Sequence, residues 1–117
     1  MKEIKNMKNE IVKIVVFVPK SHAEKVRKAL GDSGAGLIGE YHHCSISIDG
    51  VGRFIPGENA QPFIGEIGVP EKVIEERIET PCNKSDLKEI IKAVKEAHPY
   101  EEPVIEIYPM LSISDFE

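Results

Sequence analysis

Ile11-Val12-Lys13-Ile14-Val15-Val16-Phe17-Val18 is a near-continuous β-branched run closed by Pro19. Runs of this kind belong to strands covered on both faces, so the chain is expected to build a sheet around this segment. A helix pattern follows at once. Ser21-His22-Ala23-Glu24 reads as a capping box, with Ser21 as N-cap and Glu24 reaching back to it. Ala23, Val26 and Leu30 recur at helical spacing, Lys25, Arg27 and Lys28 turn outward, and Gly31 and Gly34 stop the helix.

The remaining chain alternates in the same manner. Cys44-Ser45-Ile46-Ser47-Ile48 reads as a half-buried strand with Cys44, Ile46 and Ile48 inward, and Asp49-Gly50 as the turn that ends it. Glu71 to Thr80 reads as a long strand, with Ile74, Ile78 and Thr80 on one face and Glu75, Arg77 and Glu79 on the other. Pro81 is its expected end. Leu87, Ile90, Ile91 and Val94 lie at i, i+3, i+4 and i+7, a second helix capped by Ser85 or Asn83 and stopped at His98-Pro99. Val104 to Tyr108 is the last strand, closed by Pro109.

The order β-α-β-β-α-β predicts an α+β, ferredoxin-like fold: one antiparallel sheet with two helices on one face. The uncovered face, still carrying Val and Ile, predicts oligomerisation. With 117 residues the chain is expected to form a single domain over 11–110, between a flexible lead-in (1–10) and a short tail (111–117). The net charge of −5 argues against nucleic acid or an anionic membrane as partner. The two cysteines, Cys44 and Cys82, form no disulfide framework, and no apolar run is long enough to span a bilayer. A cytoplasmic setting is therefore expected.

Three stretches carry candidate chemistry. Gly34-Ala35-Gly36-Leu37-Ile38-Gly39 matches the spacing of a dinucleotide loop, but a helix precedes it and a strand follows. That order is the reverse of what phosphate binding at a helix N-terminus needs, so it is read as a turn. His98-Pro99-Tyr100-Glu101-Glu102-Pro103 sets an imidazole, a phenol and two carboxylates between prolines. It reads either as a titratable site or as a stiff corner where helix gives way to strand. The segment from Gly50 to Gly65 is long for a loop inside a small domain. Its glycines, Arg53, Asn59, Phe54 and Phe63 could wrap an anionic or aromatic small molecule, or seat a partner.

Topology brings Lys20, that loop and the corner to one end of the fold. The candidate ligand-binding set is Arg53, Phe54, Asn59, Phe63, Lys20, Tyr100 and Glu101. His42, His43 and Cys44 fall at the other end, roughly 15–20 Å away. A copper or zinc site built from His43, His98 and Glu101 would therefore have to form across subunits. No convergent nucleophile and base is found, so no catalytic residue is assigned and the chain is read as a non-enzyme.

The corner, followed by Glu106, resembles the C-terminal part of the CutA divalent-cation-tolerance proteins. A longer set of blocks resembles the PII/CutA-like domain inserted in Nif-three-like proteins, also called GTP cyclohydrolase type 2 or dinuclear-metal-centre hexameric proteins. These blocks are Lys13 to Pro19, Gly34-Ala35-Gly36, His43-Cys44-Ser45, Gly52-Arg53-Phe54, Asn59, Pro62 to Glu66, Arg77 to Thr80 and the corner itself. The resemblance runs over roughly Ile11 to Met110. It implies a stand-alone, trimeric PII/CutA-like binding or regulatory module, with ligand or partner bound at inter-subunit clefts near the long loop. Its alternative is a divalent-metal binder of the CutA kind. It also implies that the two-metal site and any hydrolase activity belong to flanking halves that this chain lacks.

Overall fold

A computed structural model describes residues 10–117. The elements are β1 (Ile11–Pro19), α1 (Lys20–Asp32), β2 (Ile46–Phe54), β3 (Glu71–Asn83), α2 (Leu87–Ala97) and β4 (Val104–Pro109). The strands form one antiparallel sheet in the order β2-β3-β1-β4. This is the expected βαββαβ arrangement. Except for Glu10, the expected lead-in over 1–10 lies outside the described residues.

The core follows from the two periodicities. Val12, Ile14, Val16 and Val18 point from β1 towards the helices, where Ala23, Val26, Leu30, Ile90, Val94 and Ala97 meet them. Ile78 and Cys82 of β3 complete the layer. Val15 points the other way yet has 0% exposure. Its cross-strand neighbours are Glu79 and Glu106, whose aliphatic stems can cover it while their carboxylates stay in water. On that same face Lys13 and Arg77 both bind Glu79, at 2.9 and 2.8 Å, and Arg77 lies 5.3 Å from the centre of the Phe17 ring.

Several local expectations are corrected. Ser21 does not cap α1: β1 runs straight into the helix with Pro19 at the N-cap, Ser21 Oγ bonds to His22 Nδ1, and Glu24 turns to Arg27. Asp49-Gly50 is no turn. Both residues lie within β2, paired with Glu76 and Glu75, so the strand runs to Phe54 and the connecting loop covers 55–70. Ile46 and Ile48 are exposed (59% and 50%), and Cys44 precedes the strand half-buried. They sit on the face opposite the helices, where β2 is an edge strand with no covering layer. Pro81 does not end β3, which continues to Asn83. The last β2–β3 pair is Ile46 with Glu79, so beyond it Pro81 needs no N–H for a strand partner. Its carbonyl instead accepts from Gly36 at 2.7 Å. Neither Ser85 nor Asn83 caps α2 through its side chain. Asn83 precedes a short 3-10 turn, Lys84–Asp86, and Asp86 is the helix N-cap residue.

The helix-to-strand segment holds its three glycines at positive φ, Gly34 at 112°, Gly36 at 84° and Gly39 at 56°, and Cys44 N–H bonds back to Gly36 O at 2.9 Å. It is a backbone turn, as its position between helix and strand predicts. The tail forms a short turn over Ile113–Phe116, with Leu111, Ile113 and Phe116 exposed. No helix among the described residues is long and apolar enough to cross a membrane.

Candidate functional site: a cleft between the β2–β3 loop and the α2–β4 corner

The corner is built around His98. Proline at 99 takes residue 98 out of the helical region, and His98 ends α2 in an extended conformation. Its ring is buried, at 6% exposure for the residue. Nε2 donates to Phe17 O at 2.7 Å, and Nδ1 accepts from Tyr100 N–H at 3.1 Å. Both backbone partners have fixed roles, so the ring is the neutral Nε2–H tautomer. Burial is the main cause that holds the His98 pKa below the usual histidine value.

That anchoring aims Tyr100 towards β3. Its hydroxyl donates to Glu75 Oε2 at 2.8 Å. Burial first, and then this bond to a carboxylate, push the Tyr100 pKa well above the usual phenol value. Tyr100 also faces two phenylalanines: Phe54 at 6.2 Å between ring centres and Phe63 at 6.5 Å, inclined at 63° and 51°. Phe63 has a further edge contact with His22 at 5.4 Å. The β2–β3 loop closes on the corner through Gln61 N–H, which donates to Glu101 Oε1 at 3.0 Å.

Between loop and corner lies a cleft of about 360 Å³. Arg53, Phe54, Phe63, Tyr100 and Glu101 line it together with Gly52, Glu75 and Glu102. Five of the seven expected ligand-binding residues therefore share one cavity. Asn59 and Lys20 are not among its lining residues. Lys20 Nζ is tied to Asp49 Oδ1 at 2.7 Å and to Glu76 Oε2 at 3.5 Å. Arg27 also bonds Glu76. Burial works against the Glu76 charge, but the bonds from Arg27 and Lys20 outweigh it, and its pKa falls below the usual glutamate value.

Glu75 is a lining carboxylate from outside both the loop and the corner, and the sequence does not single it out. By its alternation it is only one of β3's outward carboxylates. The signal was the neighbouring glycine: a Cβ on Gly52 would lie 2.3 Å from Glu75 Oε1, so the bare backbone of β2 makes room for that carboxylate.

The residues expected to ligate metal are not gathered in one protomer. His43, at the far end of α1, bonds Asp32 Oδ1 through Nε2 at 2.9 Å and His42 at 2.8 Å. His98 has both ring nitrogens engaged, and Glu101 holds the loop. Among the described residues no group of three or more His, Cys, Asp or Glu side chains is placed to hold a metal ion.

No protein-family model matches the chain. It is 52% identical over 98 residues to a GTP cyclohydrolase 1 type 2 homolog of Bacillus subtilis, covering 84% of this chain and 26% of that protein. The corresponding protein of Listeria monocytogenes is 48% identical over 99 residues, again covering 84% and 26%. Among solved structures, a Bacillus cereus protein related to NIF3 superposes with a TM-score of 0.78 at 49% identity, over 89% of this chain and 26% of that one. The CutA periplasmic divalent cation tolerance protein of Archaeoglobus fulgidus superposes with a TM-score of 0.64 at 19% identity, over 91% and 90%. That second likeness is one of fold. The chain spans about a quarter of the length of the curated relatives it matches; it has a CutA-like fold and resembles the corresponding part of those NIF3-related proteins.

Proposed function

We propose that the chain is a cytoplasmic, homotrimeric binding or regulatory module, not an enzyme, and that it holds a small molecule in the cleft between the β2–β3 loop and the α2–β4 corner. One observation carries the reading: three aromatic rings, Arg53 and the carboxylates of Glu75 and Glu101 converge on a single cavity of about 360 Å³. Small-molecule sites have this make-up, with mostly apolar walls and a few placed polar groups, at volumes of about 300–1,000 Å³. The walls come from two elements joined by direct bonds, so the cavity exists before any ligand arrives. The trimer is supported by the exposed edge strand β2 and by Ile46, Ile48 and Val104 exposed on the open face. Both cysteines are free thiols, in keeping with a reducing compartment.

A thermal-shift screen of small metabolites, run in parallel on wild type, Arg53→Ala and Phe63→Ala, tests the site. Ligands that stabilise wild type should lose most of that effect in at least one variant. Hits left unchanged by both substitutions would remove the cleft as their binding place.

The CutA name brings a second reading, copper or zinc held by His43, His98 and Glu101. Ligation by His98 would first have to break one of its two internal bonds, and His43, at the other end of the fold, would have to come from another copy. Metal analysis of tag-free protein after zinc and copper loading separates the two readings. The small-molecule reading expects less than one metal per chain, unaltered by His43→Ala.

A further inference from the structure

The cleft's own chemistry names a ligand class. The inference rests on the cleft being a ligand site, as proposed above, and goes on to the charge of what it takes. Among the described residues lining it, Glu75, Glu101 and Glu102 stand against a single cation, Arg53. Two of these carboxylates are fixed in place. Glu75 Oε2 accepts from the Tyr100 hydroxyl, and Glu101 Oε1 accepts from Gln61 N–H. Each bond uses one oxygen, and the second oxygen of Glu75 lies against the bare backbone of Gly52, itself a lining residue.

The aromatic walls point the same way. Phe54 and Phe63 both lie against Tyr100, at 6.2 and 6.5 Å between ring centres, with ring planes inclined at 63° and 51°. All three rings line the cavity, and a cation seated over the face of any of them gains from its electron-rich π system. Tyr100 remains a neutral phenol throughout the ordinary pH range, because burial and Glu75 oppose its ionisation.

A metal ion is a poor occupant. Calcium takes six to eight oxygen ligands, and zinc takes about four donors, mostly His nitrogen and Cys sulfur with carboxylate oxygen among them. The carboxylates here are not grouped closely enough, with His or Cys, to form such a set among the described residues. A large, weakly hydrated cation with apolar substituents needs no such set.

We propose that this cleft binds a small organic cation of the alkylammonium class, its charged head lying among Phe54, Phe63 and Tyr100 and facing Glu75 and Glu101.

The test uses choline as probe on the full chain, followed by backbone amide NMR, with its neutral isostere 3,3-dimethylbutan-1-ol and the anion adenosine monophosphate as comparisons. Choline should shift the amides of Gly52, Phe63 and Tyr100 saturably. The neutral alcohol should bind about three- to thirtyfold more weakly, the range expected for a cation over aromatic faces. Phe63→Ala should weaken choline to a similar degree. Phe63 is half exposed on a loop, so the substitution should leave the fold intact, and Glu101→Gln gives an independent variant in which the ring cage is kept. Equal binding of alcohol and choline, or binding of the monophosphate at these amides without choline, would overturn the cation assignment and leave the ligand cleft standing. If none of the three probes nor a mixed fragment library moves these amides, the ligand site itself falls and the inference with it.

Discussion

His98 joins the end of α2 to the strand that begins the chain: its Nε2 donates to Phe17 O at 2.7 Å, across 81 residues of sequence. With the Tyr100 N–H bond to Nδ1, one buried ring fixes the corner and with it the tyrosine that walls the cleft. Replacing His98 by Ala leaves a part-buried carbonyl and a part-buried N–H without partners. The expected loss is about 2–4 kcal/mol in urea unfolding. A loss under about 0.5 kcal/mol would show that the ring does not hold the corner.

The same residue sets a pH dependence. Its pKa in the fold lies below the ordinary 6.5, with burial the leading cause. The unfolded chain therefore binds a proton at higher pH than the folded chain does. Stability should be constant above about pH 7 and fall as pH drops below 6.5 towards the folded-state pKa. The depressed carboxylates Glu76 and Glu79 add a further fall at lower pH, below their ordinary 4.5. Unfolding free energies measured from pH 8 to 4 on wild type and His98→Gln check this. The variant should lose the upper step and keep the lower one.

Gly36 and Gly34 give an internal contrast. Both hold positive φ, but a Cβ on Gly36 would lie 2.4 Å from Cys44 O and 2.6 Å from Cys44 N, whereas one on Gly34 would meet nothing within 4 Å. Gly34→Ala should cost about 1 kcal/mol from backbone strain alone. Gly36→Ala must also displace the backbone that pairs Gly36 with Cys44, and should cost clearly more. Equal melting temperatures for the two variants would contradict the packing described for this turn.

Gly52→Ala tests the room made for Glu75. The clash falls on the far end of a flexible side chain, so stability should drop by less than about 1 kcal/mol, in the range of an ordinary surface change. The Tyr100 hydroxyl should lose its acceptor, visible as shifts of the Tyr100 and Glu75 resonances. A large loss of stability with those resonances unmoved would place the pressure on Gly52 elsewhere.

Much of this fold was legible because burial writes a period into the sequence. β1 buries every residue on its helix-facing side and Val15 on the other, and reads as a near-continuous β-branched run. α1 and α2 show their buried residues at helical spacing, with Ala23, Val26 and Leu30 and then Ile90 and Val94 all in the core. β2 was misread for the opposite reason. It is an edge strand exposed along most of its length, so pairing with β3, not burial, makes it a strand, and Asp49-Gly50 within it mimics a turn. The convergence of loop and corner followed from topology alone. Which side chains meet there did not: Lys20 is drawn off to Asp49 and Glu76, and Glu75 enters because Gly52 lets it. Those outcomes depend on register and side-chain reach, which no local pattern encodes. The corner, whose sequence fits either a titratable site or a stiff joint, is a structural joint whose tyrosine and glutamate wall a cavity.

The most direct measurement is X-ray fragment screening of crystals of the full chain, with amines, neutral aromatics and carboxylates in equal number. The account predicts bound fragments between Phe63, Phe54 and Tyr100, with amines outnumbering carboxylates there. Fragments that collect instead around His42, His43 and Cys44, or none between the loop and the corner, would contradict it.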